Sequence, residues 1–261
     1  MNESEILENH ALGRSMAGAT IRSCDLRGKN LDGINLAGAK LEQVRLDGAS
    51  LRGANLAGAE IQSCSFAGAS LEEARLDGAV LAGVDFRDVK ASRSRLDDVK
   101  TVGLFADRAD LRAASIRRGS FPGAKFTGAL FGAAALEEVA FIGADLTGAD
   151  LSDSTIARSA FVRANLTRAR LGSGSLSAVA FVQADLRGAD LSAARLENCV
   201  FMGANLVGAK LPQALAGCQF TRARLASRDA PLDGMAPDLE GEKRVCPRSR
   251  ARTSRLRPSR V

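Results

Sequence analysis

Side chains suited to covalent or metal chemistry are few in this sequence of 261 residues. It has a single histidine, His10, and five cysteines, at positions 24, 64, 199, 218 and 246. A Ser-His-Asp or Cys-His site needs a histidine as its base, and zinc sites usually combine histidines or closely spaced cysteines. His10 stands alone near the N-terminus, and no Cys-x-x-Cys pair is present. We therefore predict no catalytic, metal-binding or cofactor-binding residues.

Glycines and carboxylates are plentiful, but they form no recognisable catalytic pattern. The stretch Gly172-Ser173-Gly174 belongs to a regular rhythm of residues and opens no predicted helix, and the sequence contains neither a P-loop nor a dinucleotide fingerprint. The cysteines at 24, 64, 199 and 218 occupy positions predicted to face a core, where a thiol behaves as a small apolar group. The sequence predicts a protein that is not an enzyme.

A five-residue period organises the chain. From Ile21 to Leu211 every fifth residue is Leu, Ile or Phe at 36 of 39 positions, with Ala91, Thr101 and Ala106 as the exceptions. Helices have a period of about 3.6 and strands a period of about two, so neither explains the pattern. We call this the large inward position and the compact residue two places earlier, most often Ala, the small inward position. Gly often stands two places later, where a corner with positive φ is expected.

A second period, four times as long, gives the cross-section. Phenylalanines recur at this spacing in one set, which consists of Phe121, Phe141, Phe161, Phe181 and Phe201. The spacing equals four five-residue units, so we predict a four-sided coil in which like residues stack over like. At about 4.8 Å between adjacent strands, about ten coils give a rod ~50 Å long.

The A-[D/N]-L-x-x signature, held from about Ile21 to Leu225, resembles the pentapeptide-repeat proteins. The resemblance implies an all-β fold, a right-handed four-sided β-solenoid. We predict a short N-terminal cap over 1–18, the solenoid over 19–226 and a disordered, Arg-rich tail over 227–261. Within the cap, residues 4–11 are expected to form a short helix with Ser4 as its N-cap.

The repeat is disturbed in two places. Between Ala91 and Ala106 several large inward positions are small, while Val99 and Leu104 fill small inward positions. Either the two sizes compensate each other within a regular coil, or the segment bulges from the rod as a recognition element. After Leu211 the pattern continues one residue early, which predicts that Cys199 and Cys218 are core residues of adjacent coils.

Charge is unevenly distributed along the chain. Ten basic residues and five aspartates lie between Arg87 and Lys125, and the tail carries nine basic and five acidic residues. The residues between Arg87 and Lys125 form either a solvated face or a surface for an acidic partner. The tail either keeps the protein in solution or contacts nucleic acid or an anionic surface. The candidate partner-binding residues are Arg93, Arg95, Arg108, Arg112, Arg117 and Arg118.

The leading functional prediction is a non-catalytic scaffold that binds a protein partner. The resemblance also implies an alternative, since pentapeptide-repeat proteins protect DNA gyrase and topoisomerase IV from inhibitors by imitating duplex DNA. That role requires an acidic face, whereas this rod is nearly neutral and carries the group of basic residues between Arg87 and Lys125, which we call the basic belt. A secreted effector or an assembly accessory is a third hypothesis. No signal peptide or transmembrane segment is visible, and an odd number of cysteines without a Cys-x-x-Cys pair fits a reducing compartment, so the sequence predicts a cytoplasmic protein.

Overall fold

In the computed structural model, which describes residues 1–225, parallel coils stack into a solenoid of about ten turns behind one short helix. The predicted tail 227–261 and residue 226 lie outside the described residues. The fold class expected from the five-residue period is therefore confirmed. Among residues 1–225, the helix over Glu3–Ala11 is the only one present.

Backbone hydrogen bonds run from each coil to the next, and inward side chains fill the space between the four sides. Leu31 N–H donates to the Ser50 carbonyl and Leu51 N–H to the Ser70 carbonyl, both at 2.7 Å, and the two leucines are fully buried. The corner residue two places after a large inward position has positive φ. Gly33 adopts this conformation at 69°, and so does a residue with a side chain, Glu73, at 60°.

In the described part of the chain, thirteen short strands form three parallel sheets, β1–β5, β6–β10 with β12, and β11 with β13. Each strand pairs with the equivalent strand of a neighbouring coil. Paired residues are 20 positions apart, as Leu41 and Ile61 are, except in the pairs that contain β12 and β13. There the coil is one residue shorter, so that Leu196 pairs with Leu215 and Leu206 with Leu225. The strands are β1 Thr20–Arg22, β2 Lys40–Glu42, β3 Glu60–Gln62, β4 Val80–Ala82, β5 Lys100–Val102, β6 Ser115–Arg117, β7 Ala135–Glu137, β8 Thr155–Ala157, β9 Ser175–Ser177, β10 Arg195–Glu197, β11 Asn205–Leu206, β12 Leu215–Ala216 and β13 Arg224–Leu225.

We number the sides of a coil in chain order. In the first coil, side 1 contains 20–22, side 2 contains 25–27, side 3 contains 30–32 and side 4 contains 35–37, and the equivalent residues of later coils lie on the same sides. Strands β1–β5 lie on side 1, whereas β6–β10 lie on side 4. The regular sheet thus changes sides between Val102 and Ser115. The five-residue period does not indicate this change, because all four sides carry the same pattern of inward residues.

The disturbed segment between Ala91 and Ala106 stays within the rod. Lys90 pairs with Asp110 and Phe105 with Lys125 in the usual register of one full coil, so no loop projects here. Val99 and Leu104 are buried in small inward positions next to the small residues at 101 and 106. The compensation of sizes predicted from the sequence explains the segment, and the bulge does not form.

The predicted phenylalanine column is present and is one ring longer than expected. Consecutive ring centroids are 5.4, 5.0, 5.2 and 4.9 Å apart from Phe121 to Phe201, and the rings are nearly parallel and buried. Phe220 continues the stack 4.8 Å from Phe201. The column therefore passes through the one-residue shortening that follows Leu211.

The N-terminal helix α1, Glu3–Ala11, corrects the prediction that Ser4 is its N-cap. Asn2 is the N-cap instead, because its side-chain oxygen accepts a hydrogen bond from Glu5 N–H at 2.9 Å while the Glu5 carboxylate accepts one from Asn2 N–H at 3.0 Å. This reciprocal arrangement satisfies two backbone donors that would otherwise lack partners. Ile6 is buried with the solenoid core, so the helix packs on the first coil.

Candidate protein-binding surfaces

Side 1 carries a row of apolar residues on the outside of the rod. Each member directly follows a large inward position. The members stack because backbone hydrogen bonds keep successive coils in register; for example, Gly143 N–H donates to the Val162 carbonyl at 2.8 Å. The row spans five coil spacings, or about 24 Å. We call this set the apolar row; its members are Val102, Pro122, Ile142, Val162, Val182 and Met202.

The apolar row is open to solvent along much of its length. Val102 is 68% exposed, Ile142 50% and Met202 46%, while Val162 and Val182 are half-buried. From Ile142 onward the column beside it is also apolar, with Ala140, Ala160, Ala180 and Val200, whereas Lys100 and Ser120 lie beside Val102 and Pro122. Isolated exposed apolar residues are common on soluble proteins, whereas large contiguous apolar patches are characteristic of surfaces that contact another molecule.

Toward the N-terminus, polar residues occupy the column that forms the apolar row in later coils. In the first three coils this column holds Arg22, Glu42 and Gln62, and Arg22 pairs with Glu42 at 2.7 Å. Along the corner between sides 4 and 1, ion pairs border the row, among them Arg118 with Asp98 at 2.7 Å. This column is therefore polar in the first three coils and apolar from the fourth coil onward. The apolar row could have been predicted from the sequence, because its six residues are evenly spaced one coil apart. The pattern of inward residues alone does not indicate it.

The six arginines predicted to bind a partner do not form one patch. Arg108 lies at the end of side 2, Arg93 and Arg112 lie on side 3 or its corner, and Arg95, Arg117 and Arg118 lie on side 4 or its corner, because the chain from 93 to 118 travels more than once around the rod. Each arginine has a carboxylate partner. The pairs are Arg93–Glu73 at 2.9 Å, Arg95–Asp77 at 3.2 Å, Arg108–Asp88 at 2.6 Å, Arg112–Asp110 at 2.7 Å, Arg117–Glu137 at 3.6 Å and Arg118–Asp98 at 2.7 Å.

Three of these ion pairs lower the pKa of their carboxylate. Hydrogen bonds from Arg108, Arg112 and Arg118 lower the pKa values of Asp88, Asp110 and Asp98, respectively. The same arrangement between neighbours on side 2, in which Arg27 donates to Asp25, lowers the pKa of Asp25 to about 2. The arginines of the basic belt are thus engaged in local pairs that a partner would have to break or share.

Acid is expected to destabilise the rod only in a low pH range. A carboxyl whose pKa is lower in the folded chain stabilises the fold above its unfolded pKa, near 3.9, and this contribution is lost as the pH falls through the folded value. We expect little change in the free energy of unfolding from about pH 8 to about pH 5, and a decline from about pH 4 to about pH 2. Because the pairs are exposed, each contributes weakly. Urea unfolding across this range tests the expectation, which a main loss between about pH 7 and about pH 5 would contradict.

Two further features of the described residues concern their acidic side chains. In residues 1–225 no group of three or more His, Cys, Asp or Glu side chains could hold a metal ion. A shallow depression beside α1 is lined by Glu3, Asp25, Arg27 and Lys29, whose charges pair as Lys29–Glu3 at 2.8 Å and Arg27–Asp25 at 2.6 Å. Both carboxylates that line this depression are thus engaged in ion pairs.

Comparison with known proteins identifies the repeat. A family model described as pentapeptide repeats (8 copies) matches residues 15–53, 30–66 and 64–100, and one described as a pentapeptide repeat region matches residues 134–211. Together these matches cover more than half of the chain. The chain belongs to the pentapeptide-repeat family. No curated protein matches it.

Solved pentapeptide-repeat structures are similar to this chain. HetL from the cyanobacterium Nostoc sp. strain PCC 7120, involved in heterocyst differentiation regulation, is 26% identical over 85% of this chain and 94% of its own, with a TM-score of 0.34. QnrB1, a plasmid-mediated fluoroquinolone resistance protein, is 18% identical over 80% of this chain and 94% of its own, with a TM-score of 0.39. Within residues 1–225 of this pentapeptide-repeat protein, no helix is long and apolar enough to cross a membrane.

Proposed function

We propose that this pentapeptide-repeat protein is a non-catalytic scaffold of the cytoplasm that binds a protein partner through the apolar row. The exposure of Val102, Ile142 and Met202 in a single column of apolar residues on side 1 carries the proposal. Buried backbone hydrogen bonds and the stacked rings beneath side 1 hold these residues in fixed positions, so little conformational freedom is lost when a partner binds. The free cysteines of the described coils agree with a reducing compartment.

The surface favours a partner with a flat, apolar face. The apolar row is a straight column of residues about 24 Å long on one side of the rod, which suits an extended apolar surface of a partner. Ion pairs border it on the side of Arg118 and Asp98, and the opposite corner is mostly uncharged, with Gly123 and Gly143 next to a single basic residue, Arg163. A partner is expected to bury the row and leave the ion pairs at the rim, where they affect orientation more than affinity.

A charge placed in the apolar row is expected to abolish binding. Ile142→Asp and Val182→Asp each put a carboxylate where the partner must exclude water, and an unpaired buried charge costs enough to weaken binding about hundredfold or more. The measurement is capture of proteins from the source cells by the tagged full-length chain, followed by quantification of each captured protein. Val207→Asp is the matched control, because Val207 is 45% exposed but lies on side 2, away from the row.

The arginine surface predicted from the sequence is the competing interpretation. In the same capture experiment, a chain with Arg93, Arg95, Arg117 and Arg118 all changed to Ala separates the two surfaces. Under our proposal this variant retains the partner that Ile142→Asp loses. If the row variants retain the partner, and the arginine variant loses it in a salt-sensitive way, the arginines form the contact surface and the proposal is wrong.

Protection of gyrase by DNA mimicry is not favoured by the charges of this rod. Mimicry needs carboxylates along one side of the rod without interruption by bases. In one column of side 2, Asp25 is followed by Arg45 and Ser65, and Asp85 by Phe105 and Lys125. We expect no protection in a gyrase supercoiling assay with a quinolone present. Protection at an equal concentration of protein and enzyme would replace the scaffold proposal with this alternative.

A further inference from the structure

Two cysteines lie directly over each other at the C-terminal end of the described rod. Strand pairing places Glu197 opposite Ala216 and Val200 opposite Gln219, so the register sets Cys199 opposite Cys218. The backbone joins the two coils at this point, where Gln219 N–H donates to the Cys199 carbonyl at 2.9 Å. Facing residues of adjacent parallel strands have Cα atoms about 4.8 Å apart, which lies within the range that a disulfide spans.

The two thiols differ in their access to solvent. Cys199 is fully buried, as predicted for a small inward position, whereas Cys218 is only half-buried, which differs from the core position expected from the sequence. The neighbouring Cys199 thiol lowers the pKa of the Cys218 thiol to about 7, and the proximity of Cys218 together with burial raises the pKa of Cys199. Cys218 is thus the more reactive and more accessible member of the pair.

The last described coil is held in place by packing that would keep the thiols together. Phe220 stacks on Phe201 with the ring planes 3° apart. Gly217 has a φ of 65°, a conformation that favours glycine, and a Cβ atom there would overlap Oδ1 of Asn198 in the coil below. Cys218 is thus flanked by Gly217 before it and by the stacked ring of Phe220 after it.

We propose that Cys199 and Cys218 are a redox-sensitive pair that closes to a disulfide and fastens the last described coil to the rod. The oxidant is a small-molecule disulfide such as oxidised glutathione. The Cys218 thiolate attacks one of its sulfurs and releases one thiolate, leaving a mixed disulfide on Cys218. Cys199, losing its proton, then attacks the Cys218 sulfur and releases the second small thiol. Two protein thiols are oxidised to one disulfide while one small disulfide is reduced to two thiols.

The same rod contains an internal comparison, because Cys24 and Cys64 occupy equivalent small inward positions without being neighbours. They are two coils apart, and Val44 of the intervening coil lies between them. Both are buried, and burial raises the pKa of each thiol. Neither has a second thiol in an adjacent coil of the described rod. Proximity and access together are what distinguish the pair at 199 and 218.

The test is to treat the folded full-length protein with oxidised glutathione, block free thiols in acid, and analyse tryptic peptides by mass spectrometry. Cleavage after Arg195, Lys210 and Arg222 places the cysteines in separate peptides, 196–210 and 211–222. We expect these two peptides to be recovered linked, with the loss of two hydrogen atoms, and to separate after reduction. The peptides that contain Cys24 and Cys64 should remain free and unmodified.

Two variants make the order of events testable. In Cys199→Ser, Cys218 should accumulate as the mixed disulfide with glutathione, because no thiol is present to resolve it. In Cys218→Ser, Cys199 should stay reduced, because it is buried. Circular dichroism checks that both variants keep the fold, and Cys246→Ser, a change outside the described residues, should leave the linkage unchanged. Glutathione that remains on Cys218 in the parent chain, or a link from Cys218 to Cys246, would overturn the proposal.

Discussion

Phe161→Ala is expected to lower the free energy of unfolding by about 3–5 kcal/mol, the cost typical of removing a buried aromatic ring. Phe161 is fully buried, and its ring lies 5.0 Å from that of Phe141 and 5.2 Å from that of Phe181. The variant loses both stacking contacts and leaves a cavity in the middle of the column. The backbone on each side is fixed by hydrogen bonds to the neighbouring coils, so the cavity cannot easily collapse.

Urea unfolding followed by circular dichroism measures this effect, and the rod provides a control of the same residue type. Phe105 is 48% exposed, because it stands one residue before a large inward position and points outward. Phe105→Ala is expected to change the free energy of unfolding by no more than about 0.5 kcal/mol. Equal effects of the two substitutions would show that the column contributes nothing special to stability.

A second large effect on the free energy of unfolding is expected when the small and the large inward residue of one repeat are exchanged. Ala149 and Leu151 are fully buried in a small and a large inward position of the same coil. Leu151→Ala should cost about 2–5 kcal/mol by creating a cavity, and Ala149→Leu about 1–3 kcal/mol by overpacking. The native chain already contains the exchange at Leu104 and Ala106, both of which are buried. In the double variant, which combines Ala149→Leu and Leu151→Ala, the leucine added at position 149 should fill part of the space left by the leucine removed at position 151.

The double variant is therefore expected to be more stable than the sum of the single variants predicts, by about 0.5–3 kcal/mol. Urea unfolding of the parent, both single variants and the double variant gives this interaction energy directly. Ala193→Leu serves as the control for adding a leucine, since Ala193 is exposed and its substitution should be almost neutral. Strictly additive costs would mean that the two inward positions do not share one space.

Much of the fold followed from the sequence because the inward residues repeat without gaps. Phe121 and Phe141 could be assigned to one column from their spacing alone, and their rings stack at 5.4 Å. The N-cap was assigned wrongly because Ser4 and Asn2 are both good caps, and the decision depends on the reciprocal bonds between Asn2 and Glu5. The change of the sheet from side 1 to side 4 depends on small differences in backbone geometry that residue types do not record.

The binding surface was harder to predict than the core. The basic residues between Arg87 and Lys125 are close in sequence, but a chain that completes a turn with every four repeats spreads such a run over several sides. Residues that share a surface, such as Ile142 and Val162, are instead separated by one full coil. The apolar row is therefore visible only when the sequence is aligned coil under coil, whereas the arginines stand out along the chain without being neighbours in space.

The division of each turn into four equal repeats also limits how the length of this chain can change over evolution. An insertion of one repeat between Pro122 and Val182 would move every later residue to the next side of the rod. Val182 and Met202 would then no longer lie in one column with Val102 and Pro122. A duplication of 141–160 would instead add a whole coil and lengthen both the phenylalanine column and the apolar row by one member each. Descendants of this rod can therefore extend or shorten a face while keeping it straight only by gaining or losing whole coils.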